Sequence, residues 1–288
     1  MKKAYSLKNE ILPFQKNLPN VKIDELVNKY LDFTDHKLIF FDLETLGLNP
    51  AFDYEQITEL SAWVVNGNNF DIEKKINYKI ELNESAKTLL NDSLSLEREN
   101  WMERQNKRRN SNFSDPNEIL EMTHYNDLKL NEVKESFAIN KFIDLLGEYE
   151  NVILVAHNAK FDVRFMTIRS SKYDQKLPVT KTLDTLKLAR YFFAPLVQKL
   201  SNQDDIKEIY DSLFRQRRDF VHISSKLGEI ANALNINSED WHSADADVYM
   251  MYEILKYMLM FFEKHKNEDI KSYQLKVLKR NVGKYKST

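Results

Sequence analysis

Cysteine is absent from all 288 residues, which removes disulfides, zinc–thiolate centres and thiol nucleophiles together and suits a reducing compartment. Any metal must therefore sit on oxygen or imidazole. Glycine and proline number only 5 and 6, too few for a fibrous or low-complexity chain. The longest apolar run, Met250 to Phe262, is broken by Glu253 and Lys256 and falls short of the about 20 residues that span a bilayer. It reads as a core-facing helix. Met1-Lys2-Lys3-Ala4-Tyr5-Ser6 carries basic residues with no apolar stretch behind them, so no secretory signal is expected, and the expectation is a cytoplasmic protein with no membrane partner. Nor is one sign of charge in excess. A net charge of −2 gives no global attraction to a polyanion, so nucleic-acid binding would need local basic patches or metal ions. Lys271 to Thr288 holds six Lys or Arg residues and no acid, and Arg104, Lys107, Arg108 and Arg109 cluster. A solvated tail or helix face is the competing reading of both.

What is present, 42% hydrophobic and 30% charged residues, is ordinary for a globular chain able to bury a sizeable core, read here as one elaborated domain. Residues 1–36 form a leader in which Ile23, Leu26, Val27, Tyr30 and Leu31 recur at helical spacing, predicting a short amphipathic helix packed on the main body. Strands are predicted at Lys37–Leu43 and Ile57–Val65. Asn66-Gly67-Asn68-Asn69 then supplies the turn into a third, about Ile72 to Leu82. The polar stretch 84–120 reads as a helical insertion. A helical pattern over 132–149 leads into the buried strand Val152–Ala156, and helix followed by buried strand implies a parallel neighbour. A helix near Asp162–Ser171, a strand at Val179–Leu183, a helix about Asp184–Phe193, a charged connection to Phe220, a helix at Ser224–Leu234 and a long last helix from near Ser243 follow. Strand meander first, then alternation, predicts an α/β fold on a mixed sheet. The body is taken as 37–264, with a second insertion about 195–220 and a basic tail 265–288.

Three motifs carry chemistry. In Phe41-Asp42-Leu43-Glu44-Thr45-Leu46-Gly47, strand alternation turns Asp42 and Glu44 to one face, able to hold a hard cation. With 44 acids in the chain, acid-x-acid should occur roughly seven times by chance, and a solvated strand end is the plain alternative. Its placement directly after Leu38-Ile39-Phe40-Phe41 adds weight, because paired charges at the mouth of a buried strand cost desolvation. In His157-Asn158-Ala159-Lys160-Phe161-Asp162 another strand end enters a helix. Asp162 could serve only that helix's dipole, but ligand sites of α/β sheets collect where strands end. In His242-Ser243-Ala244-Asp245-Ala246-Asp247, a His five residues before an Asp is expected roughly 0.4 times by chance. Five residues turn about 140° on a helix, so His242 belongs in the loop before the helix and Asp247 inside it. The alternative has Ser243 capping the helix while Asp245 and Asp247 serve its dipole.

In order, Asp42-x-Glu44, Asn158-x-x-Phe161-Asp162 and His242-x-x-x-x-Asp247 resemble the three exonuclease motifs of the DnaQ-like DEDDh family. Leu154-Val155-Ala156-His157-Asn158-Ala159, Leu183-Asp184-Thr185-Leu186-Lys187-Leu188-Ala189-Arg190 and Lys226-Leu227-Gly228-Glu229-Ile230-Ala231 are similar to the PolC-type and epsilon-type proofreading exonuclease domains. The match covers about 37–255. Leu46 stands where the family often has a second Thr, and Ser243 stands where a sister group has Tyr, which leaves the histidine form. The resemblance implies an RNase H-like fold and a metal-dependent 3′→5′ exonuclease acting on single-stranded nucleic-acid 3′ ends, with DNA favoured and RNA trimming the close alternative. It implies two Mg²⁺ or Mn²⁺ ions held by Asp42, Glu44, Asp162 and Asp247, Asp42 bridging both, with His242 as general base. Thr45, Leu46, His157 and Phe161 would meet the terminal nucleotide, and His124 resembles another substrate-side histidine; core packing is the alternative for His157 and Phe161, a surface role for His124. A polymerase or other replication partner docked through the insertion and tail is the reading from a different class.

Overall fold

The computed structural model describes residues 21–88, 132–178, 180–217, 220–236 and 243–270. Five strands make the central sheet: β2 (Lys37–Thr45), β3 (Ile57–Asn66), β4 (Ile72–Lys79), β5 (Val152–Ala156) and β6 (Lys181–Asp184). Their order across the sheet is β4-β3-β2-β5-β6. β2–β3 and β3–β4 pair antiparallel, whereas β2–β5 and β5–β6 pair parallel, the mixed sheet that a meander followed by helix–strand alternation predicts. The second turn of that meander, from β3 into β4, is Asn66-Gly67-Asn68-Asn69, and a Cβ at Gly67 would collide with the carbonyls of Phe33 and His36; only glycine fits.

Each face of the sheet buries its own core. Leu38 and Phe40 of β2 pack with Trp63, Val65, Ile153 and Val155 against α8 (Ala244–Lys264), through Val248, Met251, Leu255 and Phe262 among others. Ile39, Phe41 and Leu43 face the other way, against α2 (Glu135–Gly147) and α3 (Ala159–Lys172), through Phe142, Phe165 and Met166. The apolar run Met250–Phe262 thus lies within α8, and no helix among the described residues is long and apolar enough to cross a membrane.

Several predicted boundaries shift. The leader helix is α1 (Ile23–Tyr30), whose Ile23 and Leu26 join the α8-side core. Val21–Lys22 (β1) pairs antiparallel with Asp269–Ile270 (β9), so the leader is stitched to the segment after α8. The strand expected at Val179–Leu183 is displaced to Lys181–Asp184; Val179 lies outside the described residues. The single helix expected over Asp184–Phe193 is α4 (Thr185–Leu188), a π turn (Ala189–Phe193) and α5 (Ala194–Lys199) in succession. Pro195 has no N–H to give the preceding turn. The supposed charged connection contains α6 (Asp204–Leu213) and begins a hairpin, β7 (Phe214–Arg217) with β8 (Phe220–Ile223). Charged residues obscured the apolar phase of Ile206, Ile209 and Leu213, all buried in α6. α7 (Leu227–Ala233) follows. Most of the first insertion, both patches of basic residues, His124 and His242 lie outside the described residues.

Candidate active site

The site lies where β2 outruns its parallel neighbour. β5 ends at Ala156 and its pairing with β2 stops at Phe40–Val155, while β2 continues to Thr45. Asp42 and Glu44 therefore sit on a stretch flanked on one side only, opposite Ser61 and Glu59 of β3. They share the phase of Leu38 and Phe40 and so face α8. Between Glu44 and Thr45 a register shift breaks the ladder, ending the strand beside the site as bulges commonly do.

α8 brings the third carboxylate. Ser243 caps it, its Oγ accepting from Ala246 N at 3.3 Å, so the capping alternative holds for Ser243. Asp245 does more than face the helix dipole: its Oδ1 accepts from Ser61 Oγ and Trp63 Nε1, both at 2.8 Å. These two bonds key the first turn of α8 to β3 and leave Asp247, two residues on, aimed at the acids of β2. One oxygen each of Asp42, Glu44 and Asp247 lie within 4.8 Å of one another.

Asp162 arrives from the far side. Asn158 takes the left-handed conformation, φ 74°, which turns the end of β5 sharply into α3; asparagine tolerates that region better than most residues. Its N–H donates to Asp184 Oδ1 at 3.1 Å, and the same oxygen caps α4 through Leu186 N at 3.1 Å. Asp184 thereby fixes two strand-to-helix turns at once and holds the first turn of α3, where the buried Asp162 lies. Asp162 falls outside the tight group of three, yet of the neighbouring charges it repels the Asp42 carboxylate most strongly.

Gathering these acids raises their proton affinity. Burial, then repulsion from Asp162, Asp247 and Glu44, drives Asp42 well above the carboxylate range. Asp162 moves the same way, by burial and by Asp184, Glu44 and Asp247 against the help of its own backbone N–H. Glu44 is raised to about 7, by burial and then by Asp247 and Glu59. Asp247 is raised to about 6, by burial and then Glu59. Asp247 Oδ1 is buried with no hydrogen-bond partner among the described residues. An all-oxygen set of crowded carboxylates with one buried, unpartnered oxygen fits a hard divalent cation, whose charge would reverse these shifts.

Thr45 Oγ1 donates to Gly47 O at 2.7 Å, and Leu46 N donates to Gln56 O at 3.1 Å, closing the loop that leaves the site. Phe161 is half-buried, its ring 5.2 Å from that of Phe165. His157 has both ring nitrogens engaged within the protein. Nε2 meets Ser225 O at 3.0 Å and Nδ1 meets Thr185 Oγ1 at 3.0 Å. A carbonyl only accepts, so Nε2 carries the proton and Nδ1 is the unprotonated nitrogen, facing a Thr185 hydroxyl that also lies 3.3 Å from Ala156 O. Burial holds the imidazole neutral, its pKa lowered to about 4. Two acids escaped sequence reasoning: Glu59, buried opposite Glu44, and Asp184. Cross-strand register alone could have found Glu59. The Leu183-Asp184-Thr185-Leu186 stretch, at a strand end before a helix, already carried the signal for Asp184.

No protein-family model matches the chain. Over 259 residues it is 25% identical to the DNA polymerase III PolC-type of Clostridium perfringens (strain 13 / Type A), covering 88% of this chain and 13% of that one. Exonuclease I of E. coli in complex with a dT13 oligonucleotide superposes with a TM-score of 0.52 at 14% identity, covering 77% of this chain and 40% of that one. Exonuclease I without ligand gives 0.51 at 13% identity, covering 81% and 45%. The chain thus spans a small part of the polymerase and under half of each solved exonuclease. The likeness in structure establishes the fold, an RNase H-like mixed sheet flanked by helices.

Proposed function

We propose that this chain is a metal-dependent 3′→5′ exonuclease that hydrolyses single-stranded ends, DNA in preference to RNA, and releases nucleoside monophosphates. The observation that carries the reading is the meeting of Asp42, Glu44 and Asp247 within 4.8 Å at the open end of β2, with the buried Asp162 of α3 repelling the Asp42 carboxylate. The similar proteins are a replicative polymerase and an exonuclease solved with a thymidine oligonucleotide.

In this reading Asp42, Glu44, Asp162 and Asp247 hold a pair of Mg²⁺ or Mn²⁺ ions. The bound ions supply the positive charge that offsets the negative charge growing on the phosphodiester oxygens. His242 takes a proton from the attacking water, a task for a side chain that titrates near neutrality. The water oxygen bonds to phosphorus as the bond from phosphorus to the 3′ oxygen of the preceding nucleotide breaks. The leaving 3′ oxygen takes a proton from solvent, and the shortened strand with its free 3′ hydroxyl and a 5′-monophosphate leave. Thr45, Leu46 and Phe161 contact the terminal nucleotide, and His157, neutral and bonded at both nitrogens, braces the turn beneath them.

The test uses matched DNA and RNA oligomers labelled at the 5′ end, with Mg²⁺ and with a chelator. Stepwise shortening from the 3′ end, lost with the chelator and in Asp42→Ala or Asp162→Ala protein that still melts cooperatively, is expected. Undiminished shortening in either variant would refute the reading, and faster shortening of RNA would reverse the substrate preference.

A further inference from the structure

The eleven residues that join β2 to β3, 46–56, form a strap laid along α3. Arg164 donates to Leu48 O at 3.3 Å and Asn49 Oδ1 at 3.4 Å. Arg169 Nη1 donates to Phe52 O at 3.0 Å. Lys172 pairs with Asp53, and Asn83 Nδ2 donates to Asp53 O at 2.9 Å. Inside the strap Asn49 N donates to Glu55, and a Cβ on Gly47 would strike that same carboxylate side chain. A connection fixed at so many points is pre-organised rather than loose.

Yet it presents apolar side chains to solvent. Leu48 is 77% exposed and Phe52 is 46% exposed. The Phe52 ring is stacked on Tyr54, centroids 5.2 Å apart and planes 10° from parallel. Tyr54 supports one side of the ring, and the exposed remainder is offered outward. Arg164 bonds only neutral oxygens through these contacts, so neither cancels its charge, while the Asp53 carboxylate is matched by Lys172. A flat, supported aromatic on a strap that also holds, through Leu48 and Asn49, a guanidinium with no ion pair to a carboxylate among the described residues is the combination that binds a base and its phosphate. Its place follows from α3: Arg169, which holds the Phe52 carbonyl, lies seven residues after Asp162, hence about 10 Å along the helix axis. That span is one that roughly the second to fourth nucleotide of a strand reaches from its end.

Resting on the exonuclease reading, we propose that Phe52, supported by Tyr54, is a stacking platform for an unpaired base a few nucleotides inward from the 3′ end held by the acids, with Arg164 facing the adjoining backbone. The platform accepts any base, because every base has a flat face, and it sets a minimum strand length for full efficiency.

Full-length protein is assayed with Mg²⁺ on a thymidine decanucleotide and on a thymidine dinucleotide. Phe52→Ala should lower kcat/KM on the decanucleotide roughly 5- to 100-fold, with a loss at least fivefold smaller on the dinucleotide. Phe52→Trp should restore the decanucleotide rate. An equal loss on both lengths, no loss on the longer, or no restoration by tryptophan overturns the platform while leaving the exonuclease reading standing. A wild-type protein that shortens neither oligomer overturns the exonuclease reading itself.

Discussion

Replacing Glu44 with glutamine should make the metal-free protein more stable while removing the proposed exonuclease activity. Glu44 ionises in the unfolded chain near its ordinary 4.5 and in the fold only near 7, because burial and the charges of Asp247 and Glu59 oppose the carboxylate. A raised pKa means that stability is undiminished below 4.5 and falls as pH climbs through 7. Above 7 the difference is worth at most about 3.4 kcal/mol, from about 1.36 kcal/mol per pH unit. Glu44 is only partly buried, so solvent screening reduces this to about 2 kcal/mol. For 288 residues, with an unfolding entropy of about 2.1 cal/mol/K per residue, Glu44→Gln should raise Tm by about 3 °C. Calorimetry at pH 8 with a chelator reads this directly. At pH 5 the wild-type carboxyl is protonated in the fold and the advantage should shrink to about a quarter. Saturating Mg²⁺ should let the wild type recover most of the gap, since the ion binds the carboxylate and not the amide. A lower Tm for the variant at pH 8, or the same gain at pH 5 and pH 8, would refute the account of the acids as a charge-strained cation site.

His157 works in the opposite direction over nearly the same range. Its pKa of about 4 in the fold, below the ordinary 6.5, gives stability that is present above 6.5 and lost as pH falls toward 4. Calorimetry of His157→Gln should therefore show a smaller fall in Tm between pH 6.5 and 4.5 than wild type. The buried Arg169–Glu135 pair, with Tyr173 Oη donating to Glu135 Oε2 at 2.6 Å and Ile57 N to Oε1 at 2.9 Å, joins α2, α3 and β3. Arg169→Met should cost about 3–5 kcal/mol by stranding the carboxylate, seen as a Tm lower by roughly 5–8 °C, and adding Glu135→Leu should return part of it.

The parts of the site that were legible in sequence are those whose geometry is local. A two-residue repeat put Asp42 and Glu44 on one side of β2, and the position of Asp162 just past β5 followed from the same strand-end logic. What stayed hidden depends on pairing between distant segments. Glu59 becomes a neighbour of Glu44 only through the β2–β3 register, and Asp245 reads as an ordinary first-turn acid until Ser61 and Trp63 are seen to meet it. Arg169 is the largest fully buried side chain among the described residues, a place where an arginine is not expected without its partner, and Glu135 is 34 positions away. The fold class was readable from element order. The break of the Asp184–Phe193 helix was not, because π turns leave no periodic mark of their own.

The antiparallel bridge of Val21–Lys22 with Asp269–Ile270 brings the two flanks of the body together at the end of α8 remote from Asp247. Eighteen residues of helix separate Asp247 from His265, about 27 Å at 1.5 Å each. Entry and exit of the polypeptide thus stand side by side, far from the acids. Chain joined on at Val21 and Ile270 is thereby attached on the side away from the mouth through which a nucleic-acid end would enter.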